Sequence, residues 1–275
     1  MAVAKDGLLW PIRFDQTDYV LRVTLNSVAE DLPFPATGTL TTTRNYWMSA
    51  DAQADSATNN GQGDLLDMLK STLEQHSEHT GGEAWTVEDI STDGSNTLRI
   101  KHSTHAFTLH WTHASTTLDG SLWGYETSSD DVSDGTNSVE APYQSSGIWF
   151  PNSTRQNDSR DRQPYVGAIT MTTSGLVRVS RSSAPNKVRQ LQWGLLDKSR
   201  ALAEYEPTTR PDGSFEACWD SAISKGYSFR IYDDITLRTT TSYGLYKTTS
   251  LADPLSRDQQ AIFRWRVALQ AVKVT

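Results

Sequence analysis

The sequence predicts a mainly β protein with short helices. This is an α+β chain whose strands build sandwich-like or barrel-like sheets beside a helix-plus-meander module. Three observations lead there. Ser and Thr make up 63 of 275 residues, and β-branched and aromatic runs recur between clusters of Gly, Pro, Asn and Asp. Nine Trp, ten Tyr and seven Phe supply bulky apolar groups that disordered chains lack. Two segments alone carry a helical apolar pattern.

Taken in order, Tyr19-Val-Leu-Arg-Val-Thr-Leu25 reads as a strand, and Leu32-Pro-Phe-Pro35 interrupts the pattern because proline cannot sit in a central ladder. Thr37 to Trp47 is a second strand closing in Tyr46-Trp47-Met48, and Ala50 to Gly63 is a linker. Leu65, Met68, Leu69, Thr72, Leu73 and His76 fall on one face of a 3.6-residue period, with Asp64 as N-cap and Gly81-Gly82 ending the run. Trp85 to Glu88, Leu98 to His102 and Phe107 to Trp111 then form a three-strand meander with a turn at Asp93-Gly94. Residues 64–125 are thus a helix-meander module inside an N-terminal domain, 1–125. Residues 126–163 are dense in Ser, Asp, Asn and Gly and read as a polar loop or arm, with one apolar island at Ile148-Trp149-Phe150-Pro151.

The remainder, 164–275, reads as a C-terminal β domain with one short helix. Tyr165 to Met171 and Gly175 to Ser180 form a hairpin, and Lys187 to Trp193 puts Leu191 and Trp193 on one face. Phe215, Cys218, Trp219, Ala222 and Ile223 mark the helix, opened at Asp212-Gly213-Ser214 and closed by Gly226. Strands follow at Tyr227 to Tyr232, Leu237 to Leu245 and Phe263 to Leu269, the last running on to Val274 and closing the sheet.

The net charge of −8 speaks against wholesale nucleic-acid binding, which needs phosphate-neutralising Lys and Arg. No apolar run has the length of a membrane helix, and Met1 to Trp10 lacks the zones of a signal peptide. The one cysteine, Cys218, allows no intrachain disulfide and sits on the apolar helix face as a core residue. Nucleophile-elbow, P-loop and dinucleotide fingerprints are missing. Glu88, Asp89 and Asp93 could pair as acid and base, but 33 acidic residues make such groupings common by chance. Asp130-Asp131, Asp134-Gly135 and Glu140 fail the calcium-loop register, because Val132 and Ala141 fall on ligand positions; they read as a solvated turn.

All six histidines lie between 76 and 113: His76, His79, His102, His105, His110 and His113. Neutral imidazoles suit Zn, Cu or Ni, and these six are the candidates if a metal binds. Against it, the pairs His102/His105 and His110/His113 match no established ligand spacing, and no cysteine or HExxH accompanies them. The expectation is a pH-sensitive surface or interface, with no metal and no cofactor.

Two stretches carry a resemblance. Leu65 to His76 followed by Trp85-Thr-Val, Leu98-Arg-Ile, Phe107-Thr-Leu-His-Trp111 and Leu122-Trp-Gly-Tyr125 is similar to a module of viral and phage structural proteins. Phe215 to Gly226, followed by Tyr227-Ser-Phe-Arg-Ile-Tyr232-Asp-Asp, resembles a segment of tail and baseplate proteins of tailed bacteriophages, and Phe263 to Val274 resembles their closing strand. The resemblance implies a distal-tail-like virion protein without catalytic residues. It would be made in the bacterial cytoplasm and assembled as a ring with copies of itself and other tail or baseplate proteins, with no nucleic-acid partner and no membrane insertion. Trp47, Trp149 and Phe150 are the expected apolar interface anchors, and Arg264 and Arg266 the expected interface cations. The alternatives are a carbohydrate-binding receptor-recognition module using exposed Trp, a head decoration or head–tail joining protein, and a metal-assisted hydrolase on the histidines.

Overall fold

The computed structural model describes residues 7–36, 40, 46–48, 65–90, 97–149, 151, 155–162, 169–171, 177–179, 187–205, 213–232, 245–250, 252–257 and 264–274. The chain is mainly β, with antiparallel curled sheets and short helices. The strands of the first half are β1 (Gly7–Leu9), β2 (Tyr19–Leu25), β3 (Val28–Phe34), β4 (Trp85–Asp89), β5 (Thr97–His102), β6 (Phe107–Leu109), β7 (Asp131–Val132), β8 (Ser138–Gln144) and β9 (Ile148–Trp149). Those of the second half are β10 (Arg155–Arg162), β11 (Ile169–Met171), β12 (Val177–Val179), β13 (Lys187–Leu196), β14 (Phe229–Tyr232), β15 (Leu245–Thr248), β16 (Leu255–Arg257) and β17 (Trp265–Lys273).

Two sheets and one helix enclose the first core. One sheet runs β3-β2-β6-β7, the other β4-β5-β8. Alternation along β2 buries Tyr19, Leu21, Val23 and Leu25 while Val20, Arg22 and Thr24 face outward, the period-2 signature of a half-buried strand. Helix α1 (Leu65–Leu73) buries Leu65, Leu66, Met68, Leu69, Thr72 and Leu73, and packs against β3 and β4. Its first N–H, on Leu65, donates to the Trp47 carbonyl at 2.8 Å. The expected N-cap Asp64, the turn at Asp93-Gly94 and the linker 50–63 lie outside the described residues.

The interruption expected at Leu32 to Pro35 comes only after Phe34: Leu32, Pro33 and Phe34 belong to β3, which tolerates proline because it is an edge strand. The Pro33 carbonyl accepts from Gln75 Nε2 at 2.9 Å, on the side away from β2. A strand residue's N and C=O point the same way, so proline's missing N–H removes no ladder bond here. Asn26 and Ser27, both at positive φ, close the β2–β3 hairpin in the primed-turn geometry that matches strand twist.

The meander expected from residues 85 to 111 is split. β4 and β5 pair as expected, but β6 leaves them for β2, and the third strand of their sheet is β8. Residues 126–163, expected as a loop or arm, therefore contain strands of both halves: β8 completes the N-terminal sheet, while β9 and β10 join the large one. Nor does 125 divide the sheets, since β1 from the N-terminal segment pairs with β14 and β9.

The large sheet runs β10-β13-β17-β15-β14-β1-β9, with β16 also on β17. β17, expected to close the sheet, is interior, flanked by β13 on one side and by β15 and β16 on the other. Leu191 and Trp193 share the buried face of β13 as expected. Against this sheet lie α2 (Lys198–Ala201) and α3 (Phe215–Cys218), and α3 continues as a π turn through Ile223. Ser214 caps α3 by accepting from the Ala217 N–H at 3.1 Å, and Gly226 ends the segment at φ +74°. Cys218 is buried on its inner face.

The β1–β9 edge of the large sheet partitions the molecule. Leu9 and Ile148 are opposite one another and enter the first core; Leu8 and Trp149 are opposite one another and enter the second. Two adjacent residues pointing to opposite faces thereby serve two cores at once.

Trp47 and Trp149, expected as interface anchors, are buried in these cores. The Trp47 ring lies under the Arg230 guanidinium, 4.4 Å from its centroid. Trp149 packs edge-on against Trp193 and Phe215, with ring centroids 5.3 and 5.2 Å away, and its Nε1 donates to the Arg200 carbonyl. Phe150 lies outside the described residues. Arg266 is exposed on β17, whereas Arg264 forms an ion pair with Asp197 of its own chain.

Candidate functional site

The histidines occupy two places on the N-terminal half, and hydrogen bonding assigns each ring its task. At the first, the end of α1 meets the start of β4 and the end of β5. His79, Glu83 and His102 bring ligand-type atoms within 4.8 Å of one another. His79 Nδ1 is 3.3 Å from His102 Nε2, Glu83 Oε2 is 3.6 Å from the same nitrogen, and His105 Nε2 is 2.9 Å from Glu83 Oε1. Glu83 was not singled out by the sequence, because it follows Gly81-Gly82 among ordinary polar residues.

The hydrogen bonds that His102 makes speak against a metal there. Its Nδ1 accepts the backbone N–H of His105 at 2.9 Å and of Thr104 at 3.4 Å. An accepting Nδ1 places the proton of the neutral ring on Nε2, which then faces His79 and Glu83 as a donor. A ligating imidazole has the reverse arrangement, a bare nitrogen on the ion and the second nitrogen donating. The cluster is a hydrogen-bond network around Glu83. Burial makes the cationic form of His102 costly and lowers its pKa, with Glu83 opposing. The Thr80 N–H, more than the nearby histidines, holds the Glu83 carboxyl below its usual range.

The same device recurs. His76 Nδ1 accepts from the Glu78 N–H at 3.2 Å, and His113 Nδ1 from the Ser115 N–H at 3.2 Å. In all three cases imidazole does at position i what an Asn or Asp side chain does in an Asx turn, satisfying the amide two residues on. Asp134 performs this task with a carboxylate. One oxygen takes the Thr136 hydroxyl and N–H and the Ser138 N–H, and these bonds, the Thr136 hydroxyl first, lower its pKa to about 2. Asp134 and Gly135 thus belong to the connection between β7 and β8, while Asp131 and Glu140, expected in the same turn, lie in those strands. Glu88 is paired with Arg99 across β4 and β5, and Arg99 also reaches Glu140 on β8 at 3.6 Å.

The second place is the outer face of the β2–β6 sheet. The His110 N–H donates to the Arg22 carbonyl at 3.0 Å, which sets the ring beside Thr24. His110 Nε2 is 2.7 Å from Thr24 Oγ1, and Nδ1 is 2.8 Å from Asp130 Oδ2. Asp130 Oδ1 accepts from the Thr112 N–H at 3.0 Å and the Thr112 hydroxyl at 2.8 Å. Burial opposes the Asp130 charge, but the bonds from Thr112 and His110 outweigh it and leave the pKa below the ordinary value. The sequence placed His110 opposite the apolar face of its strand, but could not bring Thr24 and Asp130 to it from 86 and 20 residues away.

Eight of the nine tryptophans are buried and Trp265 is half-buried, so no tryptophan stands out as a sugar-stacking platform. Among the described residues, the exposed large apolar side chains are Val28, Val132 and Leu195. No described helix is long and apolar enough to cross a membrane. No protein-family model matches this sequence, and no curated protein matches it.

Proposed function

We propose that this chain is a structural component of a tailed-bacteriophage virion, in the tail or distal baseplate. In this reading it assembles with copies of itself into a ring and contacts other tail proteins. The observation that supports an assembly role is the β11–β12 hairpin. Its strands pair Ile169 with Val179 and Met171 with Val177, and among the described strands they pair with nothing else. Four of the six residues in this ribbon of three-residue strands are apolar. A two-stranded ribbon of that size is marginal in water and needs a surface to cover it. With nearly every tryptophan used in the two cores, this hairpin replaces Trp47 and Trp149 as the apolar contact.

The test is light scattering and negative-stain microscopy of the purified chain, beside a variant carrying Ile169→Ser and Val179→Ser. A closed ring that the variant cannot form supports the reading. A wild-type chain that stays monomeric at its highest soluble concentration, alone and with other tail proteins, defeats it.

A further inference from the structure

The Thr24–His110–Asp130 arrangement has a chemical capacity that an assembly role does not use. With the His110 ring neutral, only one proton arrangement satisfies its contacts. An ionised Asp130 can only accept, so the neutral His110 ring carries its proton on Nδ1. Nε2 then holds a lone pair, and Thr24 Oγ1 at 2.7 Å must be its donor. A hydroxyl donating to an imidazole, whose other nitrogen is held by an anchored carboxylate, is the pattern of a base-activated nucleophile. Thr112 fixes the carboxylate through two bonds, and the His110 N–H fixes the ring to β2. The group is reachable from solvent: Thr24 is half-buried, and the His110 and Asp130 side chains are 23% and 30% exposed.

We propose that Thr24 is an acylation site for activated carboxylic esters, with His110 as general base and Asp130 as the residue that positions the ring. Thr24 Oγ bonds to the acyl carbon while its proton passes to His110 Nε2. The ester C–O bond then breaks, and His110 returns the proton to the departing alcohol or phenol. Water, deprotonated by the same nitrogen, attacks the acyl-threonine, releasing the acid and restoring the hydroxyl. The arrangement supplies general-base activation, which contributes on the order of 10²–10⁴-fold. That limits it to esters with good leaving groups.

The experiment treats the intact chain with p-nitrophenyl acetate and follows phenolate release, with peptide mass mapping of the acetyl group. Acetylation of Thr24 is expected, retained in Thr24→Ser and lost in Thr24→Val. His110→Gln should slow it by at least roughly a hundredfold, the lower end of base catalysis. Asp130→Asn should slow it as well, while Asp130→Glu, which again accepts from Nδ1, should recover part of the rate. Urea midpoints of the same variants separate lost chemistry from lost structure. Acetyl groups found on lysines alone, or a His110→Gln variant that reacts as fast as the parent, overturns the proposal.

Discussion

Replacing Gly124 with alanine tests how the N-terminal sheets are joined. Gly124 has φ +86°, and a Cβ built there would lie 2.3 Å from the Tyr143 carbonyl oxygen and 2.9 Å from its carbon. Both are backbone atoms of β8, so no rotamer relieves the contact. The Tyr143 N–H also donates to the Gly124 carbonyl at 3.1 Å, locking the two segments at this separation. Making room moves the Gly120–Trp123 turn away from β8, with Trp123 and Tyr125, both buried, on either side of it. Those rings pack on Phe34 and Trp111, at centroid distances of 5.6 and 5.7 Å. Left-handed backbone for a non-glycine residue costs roughly 1–2 kcal/mol, overpacking about 1–3 and a lost hydrogen bond about 1. The expected loss is therefore about 4 kcal/mol, which exceeds most single substitutions. Gly135→Ala is the matched control, since a Cβ there meets nothing within 4 Å. Urea titrations followed by tryptophan fluorescence and circular dichroism report both. Equal midpoints for the two variants would refute the close-approach explanation.

Three further outcomes follow from the same contacts. Because burial depresses the His102 pKa, the unfolded chain takes up that proton first; this contribution is intact above the ordinary imidazole pKa, about 6.5, and falls as pH drops through the lowered folded value. Glu83 adds a loss of the same sign further into acid, and urea midpoints from pH 8 to 5 should flatten in His102→Asn, which caps the turn without titrating; parallel slopes would contradict this. His76→Asn, which keeps an acceptor for the Glu78 N–H, should unfold about 1 kcal/mol later than His76→Leu, the scale of a lost cap, as read from chemical denaturation. Trp149→Ala should cost about 3–5 kcal/mol by removing a fully buried ring from the second core, with calorimetry as the check.

What could be read from local pattern was read where neighbours along the chain decide the structure. The stripe from Leu65 to Leu73, the alternation of Tyr19 to Leu25, and the Ser214 and Gly226 ends of the second helical segment all reappear at those positions. Each depends on a period or cap within a few residues, and both are printed in sequence order. The partner of each strand is not printed there. β6 follows β5 closely yet pairs with β2, and β8 takes the place expected for it, because apolar alternation says which face is buried and not which edge is joined. The histidines show the same division. Their clustering between 76 and 113 was visible, but which ring nitrogen accepts a backbone amide, and that Thr24 and Asp130 meet at His110, depend on chain segments folding back on one another. The tryptophans went the furthest from expectation. Composition counts apolar surface without saying whether it is covered by the same chain, and the β1–β9 edge of the large sheet, with one core on each face, buries Trp149 that the sequence had left for a partner.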